Sequence, residues 1–165
     1  MKKACIFYGS TLGNTEGVAK IIGQKLDIPF YNVADNPVNL ISQYECLILG
    51  TSTWGEGELQ DDWGLFLSKF EKADLKDKTI ALFGLGDSAS YPNTFVDGMG
   101  ILYSTIKGKG CKVIGLVPQE GYNFVASKAS QSGKFIGLPL DEDNESDLTM
   151  ARIDKWIELI KPFLQ

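Results

Sequence analysis

Four short runs, ACIFY (4–8), CLILG (46–50), TIALFG (79–84) and KVIGLV (112–117), are apolar almost throughout and rich in β-branched and aromatic residues. A strand with one face in water alternates polar and apolar positions. Unbroken apolar runs instead suit strands buried on both faces, as in a parallel sheet. PFYNV (29–33) is shorter and more polar, which predicts a sheet edge. Between these runs the period lengthens. Val18, Ile21, Ile22 and Leu26 share one helical face, as do Trp63, Phe66, Leu67 and Phe70. Phe95, Met99, Leu102 and Ile106 form a third stripe, and Ile153, Trp156, Ile157 and Ile160 a fourth. NPVNLISQ (36–43) reads as a helix with Asn36 as cap and Pro37 in its first position. Thr149 is expected to cap the last helix, with Leu148 and Ile153 as a hydrophobic staple, and Pro162 to end or kink it near Lys161. Strand and helix alternate, which predicts a doubly wound α/β sandwich with helices on both faces of a parallel sheet.

One irregularity interrupts this rhythm. Residues 119–140, QEGYNFVASKASQSGKFIGLPL, are too many for an ordinary connection, and their aromatics and glycines predict an ordered excursion. The run DEDNESD (141–147), next in the chain, resembles a calcium loop in acidity alone. Ser146 stands where the turn glycine belongs and Arg152 at the terminal glutamate position, so a solvated turn is expected.

At 165 residues a single domain, 1–165, is expected. The net charge of −5 argues against non-specific binding to nucleic acid or anionic membrane. The chain has no histidine, which removes the commonest general base and metal ligand together with every Ser-His or Cys-His pair. Cys5, Cys46 and Cys111 are far apart and form no C-x-x-C, so reduced thiols and no metal site are expected. The apolar stretch of MKKACIFYGS is too short for a signal peptide, and no run is long enough to cross a bilayer. A cytoplasmic monomer is expected.

The chemistry concentrates in YGSTLGNTE (8–16). Gly9 and Gly13 permit a tight turn, and Asn14, Thr15 and Glu16 open a helix whose free N–H groups make an anion site. Ser10, Thr11, Asn14 and Thr15 add donors without adding charge. A plain βα turn capped by asparagine looks similar; four hydroxyl or amide side chains in six positions favour a phosphate. No Walker lysine is present, and Gly9 and Gly13 do not fit dinucleotide spacing, which leaves a monophosphate. Trp54 in TSTWGEGELQDDW and Tyr91 in LGDSASYPNTF lie just past the next two central strands, where they suggest a flat ring held between them.

GSTLGNTE, TSTWGEGELQDDW, GLGDSASYPNTFVDGMGIL and the block from Gly121 to Trp156 together resemble the flavodoxins, specifically their long-chain group. Flavodoxin is the usual illustration of strand order 2-1-3-4-5 with FMN at the β1/β3 switch point, so a five-stranded sheet in that order is taken from the family. The resemblance implies that Ser10, Thr11, Leu12, Gly13, Asn14 and Thr15 bind the FMN phosphate and that Trp54 and Tyr91 flank the isoalloxazine. Thr53, Gly55, Glu56, Gly57, Leu85, Gly86 and Asp87 would contact the ring edge and ribityl chain, and Thr94 stands where relatives often place an asparagine. Leu12 replaces a common threonine, removing a hydroxyl worth roughly 1.5–3 kcal/mol to a charged phosphate.

The implied activity is that of a low-potential one-electron carrier using the semiquinone/hydroquinone couple of non-covalent FMN, not that of an enzyme. Gly55 would permit a peptide flip toward flavin N5. Glu56, Glu58, Asp61, Asp62 and Asp87 would each oppose the anionic hydroquinone by about 1 kcal/mol and attract redox enzymes with basic docking surfaces, such as an NAD(P)H-dependent flavodoxin reductase. An FMN-dependent quinone reductase is the alternative on this fold. A response-regulator receiver domain is disfavoured, because its acidic and lysine positions read YGS, GTS and VPQ here.

Overall fold

The computed structural model describes residues 2–165. In chain order the elements are β1 (Ala4–Tyr8), α1 (Asn14–Leu26), β2 (Phe30–Asn32), β3 (Cys46–Trp54), β4 (Glu58–Leu59), α2 (Asp61–Glu71), β5 (Thr79–Leu85) and α3 (Asp97–Ile106). Next come β6 (Lys112–Ile114), β7 (Val117–Pro118), β8 (Ser130–Gln131), β9 (Lys134–Phe135), β10 (Leu138–Leu140), α4 (Glu142–Glu145) and α5 (Thr149–Ile160). The main sheet runs β10-β5-β3-β1-β2 with these five strands parallel, as the continuous apolar runs require.

Successive residues of β1 divide the core between two layers. Cys5 and Phe7 pack with Trp63, Phe66 and Phe70 of α2 and with Met99 and Leu102 of α3. Ile6 and Tyr8 pack with Val18 and Ile22 of α1 and with Ile153 and Trp156 of α5. The strand β2 is the partly exposed edge expected of PFYNV.

The fifth strand position is a departure. KVIGLV is not one strand: β6 pairs with Thr79–Ala81 of β5 and stops at Ile114. Gly115, at φ 80°, then turns the chain out of the sheet. A Cβ at Gly115 would lie 2.7 Å from Trp156 Nε1, the atom that donates to the Gly115 carbonyl at 2.9 Å. The position must therefore be glycine for both backbone and packing. The expected excursion of 119–140 thus starts earlier and ends sooner. It forms a small antiparallel sheet, β7-β9-β8, and the chain returns as β10, parallel to Phe83–Leu85 of β5. Two short strands fill one slot in the order 2-1-3-4-5.

Three local expectations fail. Asn36 sits in the left-handed region, with its Oδ1 accepting from Lys69 Nζ, and the segment after it is a 3-10 helix at Val38–Gln43. Thr149 does not cap α5, because its hydroxyl donates to the Glu142 carboxylate, and Leu148 is exposed rather than stapled. The acidic run is not simply solvated either: Asp141 is fully buried and caps α4. Pro162 does stop the last helix, which gives way to a 3-10 turn at Lys161–Leu164. Cys5 and Cys46 are buried free thiols, with burial pushing Cys5 up to about 12.

Candidate functional site

A cleft of about 270 Å³ opens at the carboxyl ends of β1, β3 and β5, the place where open α/β sheets bind ligands. One end is the loop between β1 and α1. Gly13, at φ 99°, makes the left-handed step into the helix, and among the described residues no side chain caps α1. Its first-turn N–H groups are thus left for a ligand. Ser10 Oγ accepts from the Gly13 N–H at 3.2 Å, and Thr11 Oγ1 accepts from Gln60 Nε2 at 3.2 Å. Each oxygen is used as an acceptor, which leaves its hydroxyl proton to donate elsewhere.

Ser10, Thr11, Leu12, Asn14 and Thr15 all line the cleft, and among the described residues no lysine or arginine does. Leu12 is 78% exposed. Gly9 serves close approach rather than the turn, since a Cβ there would overlap Gln60 Oε1. Gln60 carries no signal in the sequence. It is buried, caps α2 through the Trp63 N–H at 3.1 Å, and ties that helix to the loop between β1 and α1.

The other end is built by two loops. Trp54 closes β3 with its indole N–H held on Ser52 Oγ at 2.8 Å, and Thr53 Oγ1 accepts from the Gly98 N–H at 2.9 Å. Gly55 at φ 51° and Gly57 at φ 96° then reverse the chain into β4, which pairs back on β3. Leu85 ends β5, and Gly86 and Asp87 then lead to Tyr91, whose N–H donates to the Asp87 carbonyl at 2.9 Å. Trp54 is 37% exposed and Tyr91 is 42% exposed, high for such large aromatics, and both line the cleft.

Thr53, Trp54, Gly55, Leu85, Gly86, Asp87 and Tyr91 are thereby brought together with the first loop. Gly13, Glu56, Gly57 and Thr94 stand behind or beside the lining rather than in it. Glu56 is exposed, and Gly57 is buried against Thr94 and Asp97.

The structure adds Ser52, Glu142 and Asp143 to the lining. The two acids come from the run expected to be a solvated turn. Their signal is GLPL before them, an apolar run whose carboxyl end reaches the ligand edge. Asp141 Oδ2 accepts from the Ser88 N–H at 3.1 Å and from its hydroxyl at 2.5 Å, anchoring the second loop. Burial alone would push Asp87 up, but hydrogen bonds from the Ser90 N–H and the Asn144 amide hold it below the usual carboxylate range. Asp143 is pushed up, by burial first and then by the charges of Asp87, Asp141 and Glu142. The end of the cleft at Trp54 and Tyr91 is therefore acidic, whereas the first loop is neutral.

The family model described as Flavodoxin matches residues 6–156. The chain belongs to the flavodoxin family. Among curated flavodoxins, that of Synechocystis sp. is 43% identical over 100% of this chain and 99% of its own length. The flavodoxin of Helicobacter pylori is 43% identical, with 98% of each chain covered. Among solved structures, the Fusobacterium nucleatum flavodoxin bound to flavin mononucleotide superposes with a TM-score of 0.93 at 37% identity, covering 100% of both chains. No helix among the described residues is long and apolar enough to cross a membrane.

Proposed function

We infer that this chain is a carrier of single electrons, working through non-covalently bound FMN and transforming no substrate of its own. The observation that carries the reading is the division of one cleft into an uncapped, uncharged helix start and a pair of exposed aromatic rings. The residues fit the cofactor. The hydroxyls of Ser10, Thr11 and Thr15, the Asn14 amide and the first-turn N–H groups of α1 would hold the phosphate. Trp54 and Tyr91 would hold the isoalloxazine between them, with Gly55 to Gly57 and Leu85 to Asp87 presenting backbone at its edge. Bound FMN supplies the one-electron chemistry.

The protein's part is to set the potential. Asp87, Glu142 and Asp143 line the cleft, so added negative charge there meets carboxylates at about 1 kcal/mol each in a watery setting. Glu56, Glu58, Asp61 and Asp62 extend that field. All of them lower the second one-electron potential. The same acidic rim would steer redox partners with basic docking surfaces, including an NAD(P)H-dependent reductase as donor. The excursion between β6 and β10 supports placement in the long-chain group. A quinone reductase is not favoured, because such an enzyme needs one ring face open to its substrate and both Trp54 and Tyr91 border the cleft.

Anaerobic titration of the purified chain with riboflavin 5′-phosphate tests the reading. A yellow complex with two separated one-electron potentials, the second low, is expected. A colourless chain that takes up no flavin refutes it.

A further inference from the structure

Asn144 is the one amide in the acidic run DEDNESD (141–147), and its side chain does more than the turn around it requires. Asp141 caps α4 by accepting from the Asn144 N–H at 3.1 Å, a bond that any residue but proline could supply. The side chain has no part in that bond and turns its amino group on two carboxylates. Asn144 Nδ2 donates to Asp87 Oδ1 at 2.8 Å and to Asp141 Oδ1 and Oδ2 at 3.0 and 3.1 Å. An amide NH2 carries two protons, so one serves Asp87 and the other is shared by the oxygens of Asp141. Asp141 Oδ2 in turn holds Ser88, so the second ring loop is tied to the turn at two successive residues.

The carboxylates are crowded. Oxygens of Asp87, Asp141 and Asp143 lie within 4.8 Å of one another, and the charge of Glu142 adds to theirs. Among the described residues, no lysine or arginine forms an ion pair with any of the four. A cation in place of the Asn144 amide would relieve the crowding by cancelling the charge. A neutral donor relieves it and leaves the charge standing. The two outer acids show the difference. Burial alone would push Asp87 up, yet the bonds from the Ser90 N–H and the Asn144 amide hold it below the usual carboxylate range. Asp143, to which the amide donates no bond, is pushed up by burial and then by its acidic neighbours.

We propose that Asn144 is a positioning residue for the flavin potential, its amide bridging Asp87 to Asp141 so that the Asp87 carboxylate is held on the wall of the cleft without a neutralising cation. Asp87 lines the cleft together with Tyr91, so a charge fixed there lies beside the ring that Tyr91 would border. The titratable groups around Asp87 are Asp141, Glu142 and Asp143 of the acidic run and Tyr91 of its own loop. The three acids oppose the charge on Asp87, and the bonds that favour it come from neutral donors. Asn144 itself lies exposed, so its replacement leaves the core untouched.

The inference rests on the reading that FMN fills the cleft, and two measurements keep the two apart. The first is a carbon-13 NMR titration of the side-chain carboxyls in the full chain without flavin. Asn144→Ala should weaken Asp87 as an acid about tenfold, the loss of one hydrogen bond to a charged group, and leave Asp97 as in the wild type. Asn144→Leu, close to asparagine in size but with no donor and no charge, should do the same. Asp87 titrating as in the wild type in either variant overturns the bridge. The second is redox titration with riboflavin 5′-phosphate bound, at a series of pH values. Near neutrality Asp87 is ionised in every form, and the second one-electron potentials should lie close together. As pH falls, Asp87 takes up its proton in the variants before it does in the wild type. Their second potential should then rise above the wild-type value, by up to about fivefold in the equilibrium it reports, and the gap should close below both transitions. A shifted Asp87 with coincident potentials at every pH overturns the role toward the flavin. A wild type that takes up no flavin defeats the reading of the cleft and that role with it, whereas the flavin-free titration judges the bridge by itself.

Discussion

The two ends of the cleft are built on opposite principles. The loop from Ser10 to Thr15 has no charged side chain, lies largely exposed, and leads into an uncapped helix start. The loops around Trp54 and Tyr91 are acidic, and each has a buried aspartate behind it: Asp97, packed beside Gly57, and Asp141, which accepts from Ser88. A phosphate needs donors, and backbone N–H groups supply them without a counter-charge that would also attract the ring-end carboxylates. A ring whose potential is to be lowered needs fixed negative charge beside it. On the proposed reading, affinity and potential fall to different residues, and substitutions should separate them.

The largest effect is expected where the neutral end is made acidic. Thr11→Asp sets a carboxylate against the phosphate at a cost of about 4 kcal/mol, roughly a thousandfold in affinity. Quenching of flavin fluorescence on titration into the flavin-free chain would measure it, and riboflavin without its phosphate should bind as before. Next is Asp141→Ala, which strips the Ser88 N–H and hydroxyl of their acceptor and should destabilise the chain by about 3 kcal/mol in urea unfolding. A loss under about 0.5 kcal/mol, the range of an ordinary surface change, would mean the second ring loop is not held as described.

Gly55→Ala should act on the potential. Its left-handed backbone is strained for any L side chain by roughly 1–2 kcal/mol, and a turn that can no longer reorient should bring the two one-electron potentials closer by about 60 mV per tenfold change in binding. Unchanged separation would remove the turn from the account.

The smallest effect is in pH. The folded-state value of Asp97 is raised, so wild type and Asp97→Asn should differ least below the ordinary carboxylate range, where the acid is protonated both folded and unfolded. As pH rises through the raised value the wild type loses stability relative to Asp97→Asn, and the gap then stays constant. Chemical denaturation at a series of pH values would show it; a gap closing as pH rises has the wrong sign.

Much of the scaffold was legible because strands buried on both faces must be apolar throughout, and the cleft because small polar residues at strand ends have few other uses. The broken fifth strand was not. Gly115 within KVIGLV reads equally as strand or turn, and the choice is made by Trp156, 41 residues away. LPL is too short and carries a proline, so it reads as loop until β5 is there to pair with it. Gln60, Asp97 and Asp141 were missed for one reason. A buried polar residue looks like a surface residue in sequence, since only distant partners, Thr11, Lys128 and Ser88, make its burial tolerable. The acids at 142 and 143 share this cause, for their place at the cleft depends on where the excursion returns.

The division of labour is tested most directly by calorimetric titration of the flavin-free chain with riboflavin 5′-phosphate and with riboflavin. The account predicts that the phosphorylated ligand binds at least about a hundredfold tighter, as two charge-assisted bonds require. Equal affinities, or no binding of either, would contradict it.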